Sequence, residues 1–210
     1  MTCAGRSPAH GGYTFAEHPE VMASGANLIW CARIDPGALE VEAYPAAAGD
    51  IDAFDPVGLE RWLSLVPGER GQEHAVLSDG LRRIRLDVIA GSLTRGPVLL
   101  HYRLAGTASL RPRMLPLRRL LALCTHRRFV QSLFPPDPRV ERWIETLRVH
   151  DAVADGASIS EIVEVLFGTE RVRQDEARGS DSLKSRVRRM ARDARSLAAG
   201  GYRLLMRGGL

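Results

Sequence analysis

Two segments decide how this chain is read. They are Ala157-Ser-Ile-Ser-Glu-Ile-Val-Glu-Val-Leu-Phe-Gly168 and, further on, Asp181-Ser-Leu-Lys-Ser-Arg-Val-Arg-Arg-Met-Ala-Arg-Asp-Ala-Arg-Ser-Leu197. In the first, Ser158 and Glu161 have capping-box spacing, so that each can satisfy an otherwise unpaired amide at a helix start. Ile159, Ile162, Val163, Leu166 and Phe167 form a broad apolar stripe at helical spacing, and Gly168 suits the position just past a helix end. A compact helix of this form is common as the supporting helix of a helix-turn-helix. In the second segment Leu183, Val187, Met190, Ala194 and Leu197 make the apolar stripe. Asp181 stands where a cap is needed, and Gly200-Gly201 ends the helix ahead of Tyr202 and Arg203. Lys184, Arg188 and Arg195 line one side of the polar face. Ser185, Arg189 and Arg192 line the other, and Arg186 lies toward the core edge. The intervening Thr169–Ser180 reads as a polar loop. At 12 residues it exceeds the three or four of a minimal helix-turn-helix, so an expanded variant is expected.

Upstream, the helical pattern begins near Arg113, with Leu117, Leu120, Leu121 and Cys124 as one stripe. Pro135, Pro136 and Pro138 interrupt it. Asp137 can cap a further helix whose buried face is expected to be Val140, Trp143, Ile144 and Leu147. Before Arg113 the period changes to two. Leu39, Val41 and Ala43 alternate with Glu40, Glu42 and Tyr44, as on a half-buried strand. His74–Ser78 and Leu81–Val88 flank Asp79-Gly80, a dipeptide suited to a type I′ hairpin turn. Asn27–Arg33 and Val98–Leu104 are further strand candidates, and Asp55-Pro56 is expected to open a helix carrying Leu59, Trp62, Leu63 and Val66. The expected fold is therefore α+β. A small antiparallel sheet with one helix occupies residues 26–110. A helical part containing a helix-turn-helix-like unit occupies residues 111–210, and residues 1–25 form a flexible leader.

Charge divides along the same line. Residues 1–110 carry 9 basic and 13 acidic side chains, a balance of −4; residues 111–210 carry 20 and 12, a balance of +8. A basic half is where an anionic partner would sit. No apolar run approaches the roughly 20 residues of a membrane helix, so no membrane partner is expected. Three scattered cysteines do not make a disulfide framework, and with no signal peptide in evidence a cytoplasmic location is expected.

The residues that carry chemistry elsewhere are not arranged for it here. The six histidines neither pair nor join cysteine at metal-ligand spacing, apart from the lone Cys124-Thr-His126. Gly91–Gly96 lacks the Gly-Lys-Ser/Thr ending of a phosphate-binding loop. Ser78 and Asp79 lie near His74 in sequence but without a nucleophile elbow. No catalytic residue, metal or cofactor is assigned, and the chain does not read as an enzyme.

An arginine-faced helix suits double-stranded DNA on two counts. An α-helix fits the major groove, where arginine can donate two hydrogen bonds to guanine. Cations on its margins displace counterions from phosphates. The candidate DNA-binding residues are Lys184, Ser185, Arg186, Arg188, Arg189, Arg192, Arg195, Tyr202 and Arg203. The alternative is a protein–protein interaction module, whose sheet half docks a partner while the basic half binds an acidic surface or simply stays solvated.

The blocks Gly156–Gly168, Ser182–Met190 and Ala199–Leu205 stand in order, the last of them shortly ahead of Arg207. With Leu121–Leu123, Phe129 and Leu133-Phe-Pro-Pro136, they resemble a proteobacterial family associated with RovC-like transcription regulators. That resemblance implies a DNA-binding transcription factor, linked in members to type VI secretion genes or to transfer of mobile elements. Many members carry an additional N-terminal regulator-like domain. Only about 25 residues precede Leu28 here, so a separate regulator-like subunit is an expected partner, as is a second copy in a homo-oligomer.

Overall fold

Residues 29–206, apart from 31, 33 and 48, are described in the computed structural model. The period-2 region builds one five-stranded sheet. Its strands are β1 (Leu39–Pro45), β2 (Leu63–Pro67), β3 (Glu73–Ser78), β4 (Arg83–Ala90) and β5 (Val98–Tyr102), in the order β2-β3-β4-β1-β5. Three of the four pairings are antiparallel; β1 and β4, at the centre, run parallel. The helices are α1 (Thr107–His126), α2 (Val140–Ala154), α3 (Ile159–Phe167), α4 (Thr169–Ala177), α5 (Ser182–Ser196) and the short α6 (Tyr202–Met206). The architecture is α+β, and no helix among the described residues is long and apolar enough to cross a membrane.

The chain forms two compact units, Met1–Pro135 and Pro136–Leu210. In the first, Leu39, Val41 and Ala43 of β1 and Ile84, Leu86 and Val88 of β4 bury one face of the sheet, as their alternation requires. Leu120 and Leu123 of α1 close that core, so the first helix of the helical pattern belongs with the sheet. Leu117 and Cys124 pack beside them, whereas Leu121, expected in the stripe, is exposed.

Two local readings are corrected in this unit. The segment after Asp55-Pro56 is only a 3₁₀ turn, Val57–Leu59, and Leu63–Val66 continues as β2. Asp55 does accept the Val57 amide (3.1 Å), but Leu63 and Leu65 pack against the sheet core at strand spacing. The hairpin turn is a four-residue loop, Asp79–Arg82, because Ser78 pairs with Arg83. Gly80 alone in it has positive φ, and the Asp79 carboxylate accepts the Leu81 and Arg82 amides. Arg85 and Asp87, on the polar side of β4, are buried with His74. His74 Nδ1 lies 2.6 Å from Asp87 Oδ1, and Arg85 donates to Asp87, to the Ala75 carbonyl (2.9 Å) and to the Trp30 carbonyl (3.2 Å). Hydrogen bonding makes this burial tolerable. The strand candidate Asn27–Arg33 falls largely outside the described residues, which exclude Asn27, Leu28, Cys31 and Arg33. Of the described positions there, Ile29 is buried and Trp30 takes part in a β-bridge.

In the second unit Val149 of α2, Ile162 and Val163 of α3, Val172 of α4 and the apolar stripe of α5 make the core. α2 turns Thr146 and Val149 inward, with Ala152 and Val153 beside them. Its expected buried face is the wrong one: Val140, Ile144 and Leu147 are exposed. Small inward residues let α2 approach α5 closely, and a count of large apolar positions does not register that.

Candidate nucleic-acid interface

α3 begins as its sequence dictates. Ser158 Oγ accepts the Glu161 amide (3.3 Å) and Glu161 Oε2 accepts the Ser158 amide (2.7 Å). The hydrogen bonds from Ser158 hold the Glu161 carboxyl below its usual range. Gly168, at φ 81°, both ends α3 and starts α4. The stretch expected to be a polar loop is thus mostly helix. It has no Gly or Pro between Thr169 and Ala177, and Gln174 reaches Glu170 at i, i+4 spacing (2.9 Å).

α4 and α5 are joined by four residues, Arg178-Gly179-Ser180-Asp181, with Gly179 at φ 65°. A turn of three or four residues that often contains glycine is the helix-turn-helix connection. α4 rather than α3 is therefore the helix that precedes α5 across such a turn. Asp181 makes no side-chain cap. Asp175 on α4 does the corresponding work: its carboxylate accepts Ser182 Oγ (3.0 Å) and the Leu183 amide (3.2 Å). Desolvation pushes this carboxyl up, but hydrogen bonds from Ser180, the Leu183 amide and Ser182 outweigh it and hold it below its usual range. The first turn of α5 is thereby tied to the last turn of α4.

α5 is divided by what its side chains touch. Leu183, Val187, Met190, Ala191 and Ala194 are buried. On one margin, Arg186 faces Glu145 of α2 (3.7 Å) and lies over the Phe167 ring (5.2 Å to its centroid). Asp193 faces Arg142 of α2 at 3.7 Å. On the other margin, Lys184 is bonded to Glu176 of α4 (2.9 Å), a contact that raises its pKa, and Arg188 is bonded to Asp181 (2.6 Å). Arg195 Nε donates to the Ala191 carbonyl (3.2 Å). Between these margins run Ser185, Arg189, Arg192 and Ser196, spaced i, i+4, i+7 and i+11. At 3.6 residues per turn this ridge lies opposite the buried stripe. All four are exposed, and Arg189 and Arg192 have no acidic partner among the described residues. In the sequence this ridge is one of two polar flanks; the ion pairs of the margins separate it from the rest.

Tyr202 and Arg203 do not join that ridge. They sit on α6, beyond a kink at Leu197–Gly201 where Gly200 has φ 115°, and Arg203 stacks over the Tyr202 ring at 5.8 Å. Cys124 is half-buried against the sheet core, where burial pushes its thiol up.

The family profile described as "T6SS, Transcription factor, DNA binding domain" (RovC_DNA-bd) matches residues 103–207. The chain belongs to the RovC DNA-binding domain family. The matched span runs from α1 through α6, so the family domain takes in the helix that closes the sheet core as well as the α2–α6 unit. Neither the curated proteins nor the solved structures contain a significant match to this chain. Membership makes residues 103–207 a DNA-binding transcription-factor domain.

Proposed function

We propose that this chain is a transcriptional regulator that reads duplex DNA by laying α5 in the major groove. Arg189 and Arg192 meet base edges or the nearest phosphates, and Ser185 and Ser196 extend that line. Lys184, Arg186, Arg188 and Arg195 are held on the margins, where they supply positive potential to the flanking phosphates. Tyr202 and Arg203 contribute from α6 as an accessory contact. One observation carries the reading. The ridge opposite the packed stripe holds two arginines without acidic partners among the described residues, while Lys184, Arg186 and Arg188 on the margins each face a carboxylate of the same chain. An arginine without an intramolecular partner is free to spend its fork of donors on a ligand.

The test is selection of fragments from sheared genomic DNA. The parent protein should enrich a common sequence that the Arg189→Ala/Arg192→Ala variant fails to enrich. Enrichment of the same sequence by both proteins would remove α5 from the role of reader. Failure of the parent to enrich any sequence would favour a docking role for the basic half.

A further inference from the structure

We propose that the sheet unit carries a DNA-contact surface of its own, a strip of arginines and aromatic rings at the C-terminal end of α1 that grips backbone phosphates without reading sequence. Its members follow one another ring to ring. Arg61 lies over the Trp62 ring (3.8 Å to its centroid), and Trp62 meets Phe129 edge to face (5.8 Å between centroids). Phe129 meets Phe134 (5.7 Å), and Arg119 lies over the Phe134 ring (4.2 Å). Arg127 and Arg128 stand at the end of α1, immediately before Phe129. Each stacked guanidinium is fixed by one further bond to a backbone carbonyl. Arg61 Nη2 donates to that of Arg127 (3.2 Å), and Arg119 Nε to that of Leu133 (2.8 Å). An arginine held by its face and one edge keeps its remaining donors in a fixed plane, the geometry that matches phosphate.

These charges are placed for a ligand. The ion pairs of the sheet unit engage Arg82, Arg85 and Arg113; Arg61, Arg119, Arg127 and Arg128 join none among the described residues. Burial pushes the pKa of Arg119 down, a push that an anion beside it would reverse. Arg127 closes α1 in the left-handed region (φ 50°), where glycine is relaxed and a side chain is strained. Its guanidinium lies over Gly58, where a Cβ would come within 2.6 Å of Nη1. Two backbone positions thus give way to one side chain. The Asp55 carboxylate borders the same glycine and Glu60 adjoins Arg61 in sequence, so the strip sets four arginines against two carboxylates and stays positive. Family membership selects DNA as the partner. The DNA-binding profile matches from residue 103, and so includes Arg119, Arg127 and Arg128, although α1 packs on the sheet core. Contacts to phosphates position a duplex and carry no sequence information. The proposal rests on this chain's binding DNA, not on α5 being the reader.

Fluorescence anisotropy of the full chain at several salt concentrations, on a selected and on a scrambled duplex, tests it. Arg127→Gly/Arg128→Ala should lower the slope of log K against log salt by about 1.8. The loss should be equal on both duplexes, so that preference for the selected one is unchanged. The melting temperature should hold or rise, because glycine relaxes the left-handed turn; a purely structural Arg127 would not lose affinity while the fold is kept. Arg128→Ala alone should lower the slope by about 0.9. Arg127→Lys/Arg128→Lys, which keeps both charges, should hold the parent's slope. Parent slopes for the glycine–alanine variant on both duplexes would overturn the proposal, assign the strip to an acidic protein surface, and leave the α5 reading standing. Loss on the selected duplex alone, or a lysine pair as weak as the glycine–alanine pair, would overturn it as well. If instead Arg189→Ala/Arg192→Ala keeps the parent's slope and preference while the glycine–alanine variant loses slope, α5 is removed as reader and this surface stands.

Discussion

Replacing Arg189 and Arg192 by alanine should flatten the salt dependence of DNA binding, whereas replacing Arg188 should barely change it. Both ridge arginines are exposed and opposite the buried stripe, so truncation opens no cavity, and alanine is the better helix former. Each neutralised phosphate contributes about 0.9 to the slope of log K against log salt, and losing two should lower that slope by about 1.8. Over a fourfold rise in salt, this amounts to about a twelvefold smaller loss of affinity than the parent suffers. Should either arginine instead make a bidentate contact to guanine, its loss costs about 1–3 kcal/mol and relaxes selectivity at one base pair. Arg188 is different because it already has Asp181 at 2.6 Å, with both groups about half exposed. Its slope change should stay well under 0.9, since much of its charge is already answered within the chain. The assay is a fluorescence-anisotropy titration at four salt concentrations, on a selected duplex and on a scrambled one. Equal slopes for parent and double variant, or a larger change with Arg188→Ala, would refute the division of α5 into ridge and margins.

Three further expectations concern the fold. Ser158→Ala should destabilise by about 0.5–2 kcal/mol through loss of the cap, and lower DNA affinity only near the unfolding temperature; an unchanged melting temperature would count against the capping box. Asp87→Ala should cost about 3–5 kcal/mol because it leaves Arg85 buried without its carboxylate, read by chemical denaturation. The Asp87 carboxyl is under an upward push from desolvation, but His74 and Arg85 hold it below its usual range. Its ionised form therefore stabilises the fold above about pH 4, and that contribution is lost as pH falls through the folded value. Asp87→Asn should accordingly reduce the acid limb of the stability–pH curve, and a variant with the same acid limb as the parent would disprove this. Gly91→Ala should be severely destabilising: Gly91 has φ 80°, and a Cβ there would lie 1.8 Å from the Ala43 carbonyl oxygen of β1. Soluble, fully folded Gly91→Ala protein with the parent's melting temperature would contradict that packing.

The elements legible in the sequence were those where one physical signal acted alone. Alternation at Leu39–Ala43 and Ile84–Val88, the Ser158/Glu161 box and the Leu183–Ala194 stripe all correspond to what the chain forms. The misreadings share a cause: a local pattern compatible with two structures was settled by long-range contacts. Leu59, Trp62, Leu63 and Val66 have helical spacing, yet Leu63 and Leu65 also have strand spacing, and pairing with β3 decided between them. Thr169–Ala177 lacks an apolar stripe because only Val172 enters the core, so periodicity could not reveal α4. The cap of α5 comes from Asp175, on another helix, while the adjacent Asp181 engages Arg188; neighbourhood in sequence favoured the wrong aspartate. The parallel β1–β4 pairing joins strands separated by a hairpin and has no local signature. For α5 the residue types were legible, but their division was not, since Glu145, Glu176 and Asp181 single out the ridge only once the helices are packed.

Cleavage of bound DNA from a tethered iron chelate locates the reading helix. In a background with Cys3, Cys31 and Cys124 replaced by serine, the chelate is attached at Ser185→Cys on the ridge or, separately, at Ser160→Cys on the exposed side of α3. Attachment at position 185 should give focused strand cleavage inside the selected site, and attachment at 160 should give little. Cleavage from position 160 with none from 185, by proteins that bind as tightly as the parent, would show that DNA is met by another face and that α5 does not read it.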